Sequence, residues 1–210
     1  EVSDTDTAAV YVEPVPAPSG GTIYLPFIVN SQAAPAPTAA PDLVVEDIIV
    51  TSNSVQVVIE NQGDAPVLPE DEFWVDLYIN PGIIPTGVNQ IWNDLCDEGL
   101  VWGVTANGLP LAPGDAMTLT IGDAYYRPDY SNFSGTFPAG VPIYVQVDSA
   151  NAETTYGAVL ENHEITGGLY NNVSGPVYSS GGVGGVPAET KPPITGDHPP
   201  ASSHNLPPRP

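Results

Sequence analysis

Residues 73–79 read Phe73-Trp74-Val75-Asp76-Leu77-Tyr78-Ile79, and apolar side chains occupy every odd-numbered position of this stretch. Successive side chains of a β-strand point to opposite faces of a sheet. A period of two therefore places the odd-numbered residues on a core face and the even-numbered residues toward water. The stretch predicts a strand that is buried on one side.

Similar short apolar or alternating runs lie on both sides of this stretch, at 43–50, 55–60, 117–121 and 143–148. Glycine, proline and asparagine mark turns between the runs, and no segment carries a sustained helical stripe. Short strands separated by such turns predict an all-β fold, an antiparallel immunoglobulin-like β-sandwich. Residues 81–112 are less regular, and we expect a long insertion or an extra hairpin there. The residues expected in the core are Val57, Ile59, Phe73, Val75, Leu77, Leu119, Val145 and Val147.

Proline divides the chain into a middle and two arms. Residues 1–40 hold six of the 25 prolines, residues 41–170 hold ten and residues 171–210 hold nine. We predict a sandwich over 41–170 between an extended N-terminal arm, with an apolar strand at 22–30, and an extended Gly/Pro-rich C-terminal arm. The chain begins at Glu1, as a mature chain cleaved after a signal peptide or a trimmed chain would.

The chain is strongly acidic, with 25 Asp and Glu against three Lys and Arg and a formal net charge of −22. Three bases form no patch that neutralises phosphates, so nucleic-acid binding is excluded, and the same repulsion excludes an anionic membrane surface. The longest apolar runs are far shorter than the ~20 residues of a membrane helix, so no membrane span is expected. The single Cys96 excludes an intrachain disulfide.

The N-terminal arm contains one strongly apolar, β-prone segment, Thr22–Asn30. Exposed, such a segment would aggregate, so we expect it to add to a sheet edge, where Pro26 is tolerated although it lacks an N–H. Residues 31–40 span about 30 Å when extended, which reaches another molecule or allows a return to the same sandwich. We favour insertion into a neighbouring copy, which makes a homopolymer. The residues of this assembly strand are Ile23, Tyr24, Leu25, Phe27, Ile28 and Val29.

The middle of the chain resembles a family of bacterial surface domains. The matching stretches are Pro41-Asp42-Leu43-Val44-Val45, Val57-Val58-Ile59-Glu60-Asn61-Gln62-Gly63-Asp64-Ala65-Pro66, Val75-Asp76-Leu77-Tyr78-Ile79, Leu111-Ala112-Pro113-Gly114, Val145-Gln146-Val147-Asp148 and Leu160-Glu161-Asn162-His163-Glu164. They resemble the CARDB family, the immunoglobulin-like domains of cell-adhesion-related surface proteins, over residues 41–164. The resemblance implies a seven-stranded sandwich, an extracellular setting and a binding or spacer role, and it implies no reaction.

Catalytic motifs are not found, and we expect no enzyme activity. The three histidines, His163, His198 and His204, accompany no Gly-x-Ser-x-Gly elbow, and Cys96 has no paired histidine motif. We interpret His163 as a polar residue at a strand end. Carboxylate and amide oxygens on a loop suit Ca²⁺, which takes ~6–8 oxygen ligands, although a solvated acidic face explains the same residues. The candidate calcium ligands are Asn93, Asp94, Asp97 and Glu98.

Two further patterns concern sugars. Asn132-Phe133-Ser134 and Asn172-Val173-Ser174 fit the N-glycosylation triplet, which makes Asn132 and Asn172 possible glycan acceptors. Five aromatic residues could form a face on which sugars stack, although we favour packing in the core or between subunits. These residues are Trp74, Trp92, Trp102, Tyr125 and Tyr126.

The residue patterns predict a structural protein, and the resemblance to CARDB domains implies that it is secreted and bacterial. Our leading hypothesis is a subunit of an extracellular filament or a surface adhesin, in which the N-terminal strand of one copy inserts into the sandwich of its neighbour. The alternative is a calcium-dependent carbohydrate-binding module, whose partners would be glycans.

Overall fold

The computed structural model describes residues 39–179 and 206–210. These residues form strands β1 Leu43–Val50, β2 Val55–Asn61, β3 Phe73–Ile79, β4 Glu98–Val104, β5 Ala116–Thr120, β6 Pro142–Val147 and β7 Val173–Tyr178. Two short helices, α1 Trp92–Leu95 and α2 Asn162–Thr166, and two 3₁₀ turns, Ala106–Gly108 and Pro128–Tyr130, lie between the strands. In the described ranges, neither helix has the length and apolar character needed to cross a membrane.

The strands form two antiparallel sheets. The smaller sheet has the order β1-β2-β5, and the larger sheet has the order β4-β3-β6-β7. Strand β3 is central to the larger sheet, because Val75 pairs with Trp102 of β4 on one side and with Val147 of β6 on the other. The predicted all-β, antiparallel β-sandwich is confirmed.

The main core lies between the two sheets. All eight residues that the alternation places in the core have 0% exposed surface, so the predicted core face is confirmed. Burial of this apolar surface is the dominant favourable contribution to folding. The eight residues are Val57, Ile59, Phe73, Val75, Leu77, Leu119, Val145 and Val147.

The outer face of β3 is also buried, which corrects the expectation that it meets water. Trp74 is 4% exposed, and Asp76 and Tyr78 are 0% exposed. A second apolar cluster covers this face and includes Trp92 of α1 and Leu206. Alternation along a strand reports which side chains share a face, but not what packs on that face.

The turn at residues 61–64 attaches the chain before β1 to the end of β2. The Asn61 side chain is 0% exposed, and its Oδ1 accepts the Asp42 N–H at 3.1 Å. Its Nδ2 donates to Ala65 O at 2.8 Å and to Leu111 O at 2.9 Å. One buried amide thereby joins three segments, because each of its polar atoms finds a backbone partner.

Strand β4 lies where the sequence analysis expected a long insertion or an extra hairpin, and β7 lies where it placed no strand. Strand β4 falls within the irregular region 81–112, where Gly99 and Gly103 interrupt the apolar pattern. Strand β7 lies beyond residue 170, the expected end of the sandwich, and contains Pro176. Among the described strands it pairs with β6 alone and is the edge of its sheet, the position at which a strand tolerates proline.

Candidate functional site

The outer face of the larger sheet holds a proline-rich segment of the same chain. We call Leu206–Pro210 the tail segment. The surface beneath it, which we call the tail-binding face, comprises Trp74, Asp76, Gly103, Tyr130 and Ala152. These residues belong to β3, to β4, to the 3₁₀ turn Pro128–Tyr130 and to the loop that follows β6. Segments distant in the sequence therefore build one surface.

An ion pair between Asp76 and Arg209 lies at the centre of this site. Arg209 donates from Nη1 to Asp76 Oδ1 and from Nη2 to Asp76 Oδ2, both at 2.7 Å. The Asp76 side chain is 0% exposed and the Arg209 side chain is 7% exposed. Ser149 Oγ and the Trp92 backbone N–H donate to the same carboxylate at 2.6 and 3.0 Å. The buried charge is therefore paired in the two-pronged geometry that suits a guanidinium best.

Two aromatic rings enclose the Arg209 guanidinium. Its central carbon lies 5.0 Å from the centre of the Trp74 ring and 6.0 Å from that of Tyr130. The two rings are themselves 5.2 Å apart. A cation over an aromatic face is attracted by the electrons of the ring, and arginine is the cation that most often takes this position. The site therefore recognises both the charge and the flat shape of Arg209.

The backbone of the tail segment is held through its carbonyl groups. Trp74 Nε1–H donates to Pro207 O, and the Ala152 N–H donates to Pro208 O, both at 2.7 Å. Proline has no N–H, so carbonyl oxygens are the polar groups that a proline-rich peptide offers. An aromatic-lined surface with donors aimed at those oxygens is a common way to recognise such peptides.

A glycine in β4 makes room for the first residue of the tail segment. A Cβ on Gly103 would lie 2.6 Å from Leu206 Cδ1 and 3.1 Å from the Trp74 ring. Leu206 packs against the apolar cluster on this face of the sheet. The small residue at this position allows the side chain of Leu206 to approach the backbone of the sheet closely.

Asp148 and Glu161 are also buried carboxyls, and neither pairs with an arginine or lysine of the described residues. Burial raises the pKa of Asp148 to about 7, although its oxygens accept the N–H groups of Ala158 and Val159. Burial, helped by the charge of Asp148, raises the pKa of Glu161 to about 9. Glu161 accepts hydrogen bonds from the Asn172 side chain and from a backbone N–H of β1, and these bonds offset part of the rise in its pKa.

The structure places the three tryptophans inside the protein. Trp102 is 0% exposed, Trp74 is 4% exposed and Trp92 is 8% exposed. Their indole N–H groups donate to Thr120 O, Pro207 O and Tyr130 O. These rings therefore form no open sugar-stacking platform in the described ranges, and the packing interpretation is the one that their burial supports.

The candidate calcium ligands lie around α1 and the start of β4. Asn93, Asp94 and Asp97 are exposed, and Glu98 is half-buried. Within residues 39–179 and 206–210, the acidic members of this set do not converge as a group of three metal-binding side chains. A calcium site at these residues stays a prediction.

The two glycosylation candidates differ in exposure. Asn132 is exposed, and its Nδ2 donates to Asp97 O at 2.9 Å. Asn172 is 1% exposed, and its Nδ2 donates to the buried Glu161, which leaves no space for a glycan on that nitrogen in the folded domain. The assembly strand within Thr22–Asn30 lies outside the described residues and stays a prediction.

The sequence analysis missed Asp76 and Arg209 as a pair. Two signals were present, because Asp76 is the one charged residue within β3 and Arg209 is one of only three bases in the chain. Their separation of 133 residues hides the pairing from any local pattern. A lone charge inside an apolar strand requires a partner, and this requirement pointed to one of the bases.

Comparison with known proteins identifies no relative. No family model matches the sequence, and no curated protein matches it. The resemblance to CARDB domains therefore stays a prediction, and the two-sheet architecture described above is consistent with it.

Proposed function

We propose that this chain is a structural subunit of a bacterial extracellular filament or surface adhesin, in which copies join through their arms. The observation that supports this proposal is the tail-binding face. The sandwich carries a surface that contacts the charge of Arg209, the carbonyls of Pro207 and Pro208 and the side chain of Leu206. A surface with these features fits a peptide ligand, and in this proposal the chain is a binding protein and not an enzyme.

The same contacts can form within one copy or between two copies. Residues 180–205 connect β7 and the residue that follows it to the tail segment. Those 26 residues would span up to about 80 Å if extended, which exceeds the width of a sandwich domain. Exchange of an identical segment between copies needs no new surface and is a simple route to association. High local concentration, as on a cell surface, favours exchange between copies.

The N-terminal strand would add a second connection between copies. In this proposal Thr22–Asn30 inserts at a sheet edge of a neighbour while the tail segment occupies the outer face of the larger sheet. The edges of the two sheets among the described residues are β1, β5, β4 and β7. Two different arm contacts per copy generate a continuous chain of subunits, because neither contact has to be reciprocal.

The alternative function is a calcium-dependent carbohydrate-binding module. The burial of Trp74, Trp92 and Trp102 speaks against it, because only Tyr125 and Tyr126 of the five candidate stacking residues are partly exposed. A glycan array probed with and without EDTA distinguishes this alternative, because EDTA-sensitive binding to a defined glycan would support it and would not follow from our proposal.

The exchange of tail segments is tested with two complementary variants of the full chain. Asp76→Asn disables the face but keeps an intact tail segment, whereas Arg209→Gln disables the tail segment but keeps an intact face. If the segment binds between copies, a mixture of the two variants associates more tightly than either variant alone, because the contact through the N-terminal strand is the same in all of them. Each variant carries a different fluorophore, and energy transfer measured against total concentration reports the mixed pair.

The control is Lys191→Gln, which changes the net charge by the same amount as Arg209→Gln. Negative-stain microscopy of the wild-type chain and of this control should show fibres or linear oligomers. Fibres of wild-type length from both Asp76→Asn and Arg209→Gln would contradict a connecting role for the tail segment. A wild-type chain that stays monomeric at every concentration and ionic strength would contradict the proposed function itself.

A further inference from the structure

Three side chains that can bind a metal ion meet where β1 begins and α2 begins. Asp42 directly precedes β1, Glu161 is the N-cap of α2, and His163 lies in the first turn of α2. One ligand atom from each residue lies within 4.8 Å of the other two. The turn at Asn61 and the capping box of α2 hold the two chain segments in place, so the three side chains approach one another on fixed backbone.

The histidine ring points into this group without a hydrogen bond. The His163 side chain is 9% exposed, and its Nδ1 lies 3.8 Å from Asp42 Oδ1 and 3.9 Å from Glu161 Oε2. Among the described residues, neither ring nitrogen has a hydrogen-bond partner. A buried polar nitrogen without a partner is costly, so the position is one that a bound ligand would satisfy.

Neighbouring groups orient these side chains. Glu164 Oε1 lies 2.8 Å from His163 Nε2, and a small rotation of the ring would make this contact an N–H···O hydrogen bond. A carboxylate behind a histidine is the usual support of a metal-bound imidazole, because it directs the other ring nitrogen toward the ion. Asn172 Nδ2 donates to Glu161 Oε1, and Oε2, which accepts the Leu43 N–H at 2.6 Å, lies on the side of Asp42 and His163.

We propose that Asp42, Glu161 and His163 bind one divalent ion of the zinc class. An imidazole nitrogen with two carboxylate oxygens suits zinc, whereas Ca²⁺ and Mg²⁺ prefer oxygen ligands alone. Ligand bonds of about 2.0–2.2 Å place tetrahedral ligands about 3.3 Å apart. The separations of His163 Nδ1 from the two carboxylates, 3.8 and 3.9 Å, need to shorten by about half an ångström. The two carboxylate oxygens, which lie within 4.8 Å of each other, need to approach by at most about 1.5 Å, and side-chain rotation provides both movements. Water would complete the coordination.

Such an ion would join the strand that follows the N-terminal arm to the helix that precedes β7. Asp42 lies two residues after the end of the arm at residue 40, and α2 lies between β6 and β7. A ligand that binds only the folded state stabilises that state, so zinc would strengthen the sandwich where the arm enters it. This inference does not depend on the proposed function, since the site lies in different residues from the tail-binding face.

The test measures zinc binding to the full chain by calorimetry. The parent is His198→Gln/His204→Gln, because these are the other histidines of the sequence and lie outside the described residues. We expect one zinc ion per chain in this parent and a loss of affinity of roughly tenfold or more in His163→Gln. Asp42→Asn, which keeps the size of the side chain, should cause a similar loss. Asp115→Asn, which removes an exposed acid outside both candidate metal sites, is the matched control and should bind zinc as the parent does.

Cobalt provides a second readout that does not depend on stability. The parent loaded with Co²⁺ should show the visible absorption of a tetrahedral site, and His163→Gln should lose it while its circular dichroism stays that of the folded parent. Absence of stoichiometric zinc binding in the parent would overturn the inference. Zinc affinity in His163→Gln and Asp42→Asn equal to that of the parent would overturn it as well.

Discussion

Asp76 shows how a single residue determines what the outer face of a sheet can bind. It is a carboxylate inside a strand whose seven residues are all buried. An isolated charge in such a place would be strongly unfavourable. Here its two oxygens accept from Arg209, Ser149 and the Trp92 backbone N–H, so the charge stays buried and becomes a recognition group. Among the acidic residues that the structure describes, this carboxylate is the one that is both fully buried and paired with an arginine.

Loss of the Arg209 charge should destabilise the folded chain. Arg209→Met keeps the apolar stem and leaves Asp76 buried without its cationic partner. We expect a loss of about 2–3 kcal/mol in the free energy of unfolding, below the ~3–5 kcal/mol of a broken buried pair, because detachment of the tail segment lets water reach Asp76. Urea denaturation, monitored by tryptophan fluorescence, measures this loss of stability.

The double variant Asp76→Asn/Arg209→Met separates the ion pair from the packing. It should be more stable than Arg209→Met alone, since no unpaired charge remains. Lys191→Met controls for the change in net charge. Equal stability of the wild-type chain and Arg209→Met would show that the pair contributes nothing to folding.

At the scale of the element, β4 explains how bulky groups come close to the sheet. Its outward positions carry two glycines, Gly99 and Gly103, on either side of Val101. The alternation of small residues with one valine leaves space for the Trp92 ring over one glycine and for Leu206 over the other. A strand with two glycines forms here because its neighbours supply the packing that its own side chains do not.

A methyl group added at Gly99 should disrupt the packing on the outer face of β4. A Cβ on Gly99 would lie 2.4 Å from Trp92 Cδ2 and 2.7 Å from Leu77 O, and the backbone oxygen has no freedom to move away. We expect Gly99→Ala to lower the free energy of unfolding by about 1–3 kcal/mol or more through overpacking. The matched control is Gly82→Ala, whose added Cβ would meet its nearest atom at 3.8 Å. Thermal denaturation compares the two, and equal midpoints would contradict the close contact.

At the scale of the whole molecule, acidity and burial act together on stability. Most of the 25 acidic side chains repel one another at neutral pH, because only three bases oppose them. Asp148 affects stability in a different way, because its carboxyl has 0% exposed surface and burial disfavours its charged form. The charged and titratable groups that act on the same region are Asp71, Glu161, Glu164 and Tyr170.

Stability should fall as pH rises through the range in which Asp148 ionises. Burial, and then the charges of Glu164 and Asp71, raise the pKa of Asp148 from 3.8 to about 7. The folded chain therefore holds a proton that the unfolded chain releases. The contribution of this proton to the free energy of unfolding is full below about pH 4 and is lost as pH rises toward 7. Its size is on the order of 4 kcal/mol.

This dependence is measured by urea denaturation between pH 4 and pH 8 with EDTA present. Asp148→Asn should reduce the slope over this range, and the slope that remains comes from Glu161, whose pKa burial raises to about 9. Asp94→Asn, which removes an exposed acid, should leave the slope nearly unchanged. A stability that rises with pH in the wild-type chain, or an unchanged slope in Asp148→Asn, would contradict the effect of burial.

The sequence by itself determined the strands with a clear period of two and the core between the sheets. Val57, Val75 and Val145 could be placed because alternation along one strand reports a shared face without knowledge of its neighbours. The turn at residues 61–64 was readable for the same reason, since its Asn and Gly act on backbone a few residues away.

Only the tertiary structure decided what lies on the outer face and which distant residues meet. Strand β4 could not be delimited from the sequence, because its glycines depend on Trp92 and Leu206 for packing. Strand β7 could not be delimited either, because its proline is tolerated only at the edge of a sheet. The pairing of Asp76 with Arg209 joins residues 133 positions apart. Local patterns record the orientation of a side chain along its own element, whereas a partner across the molecule depends on how all the elements pack.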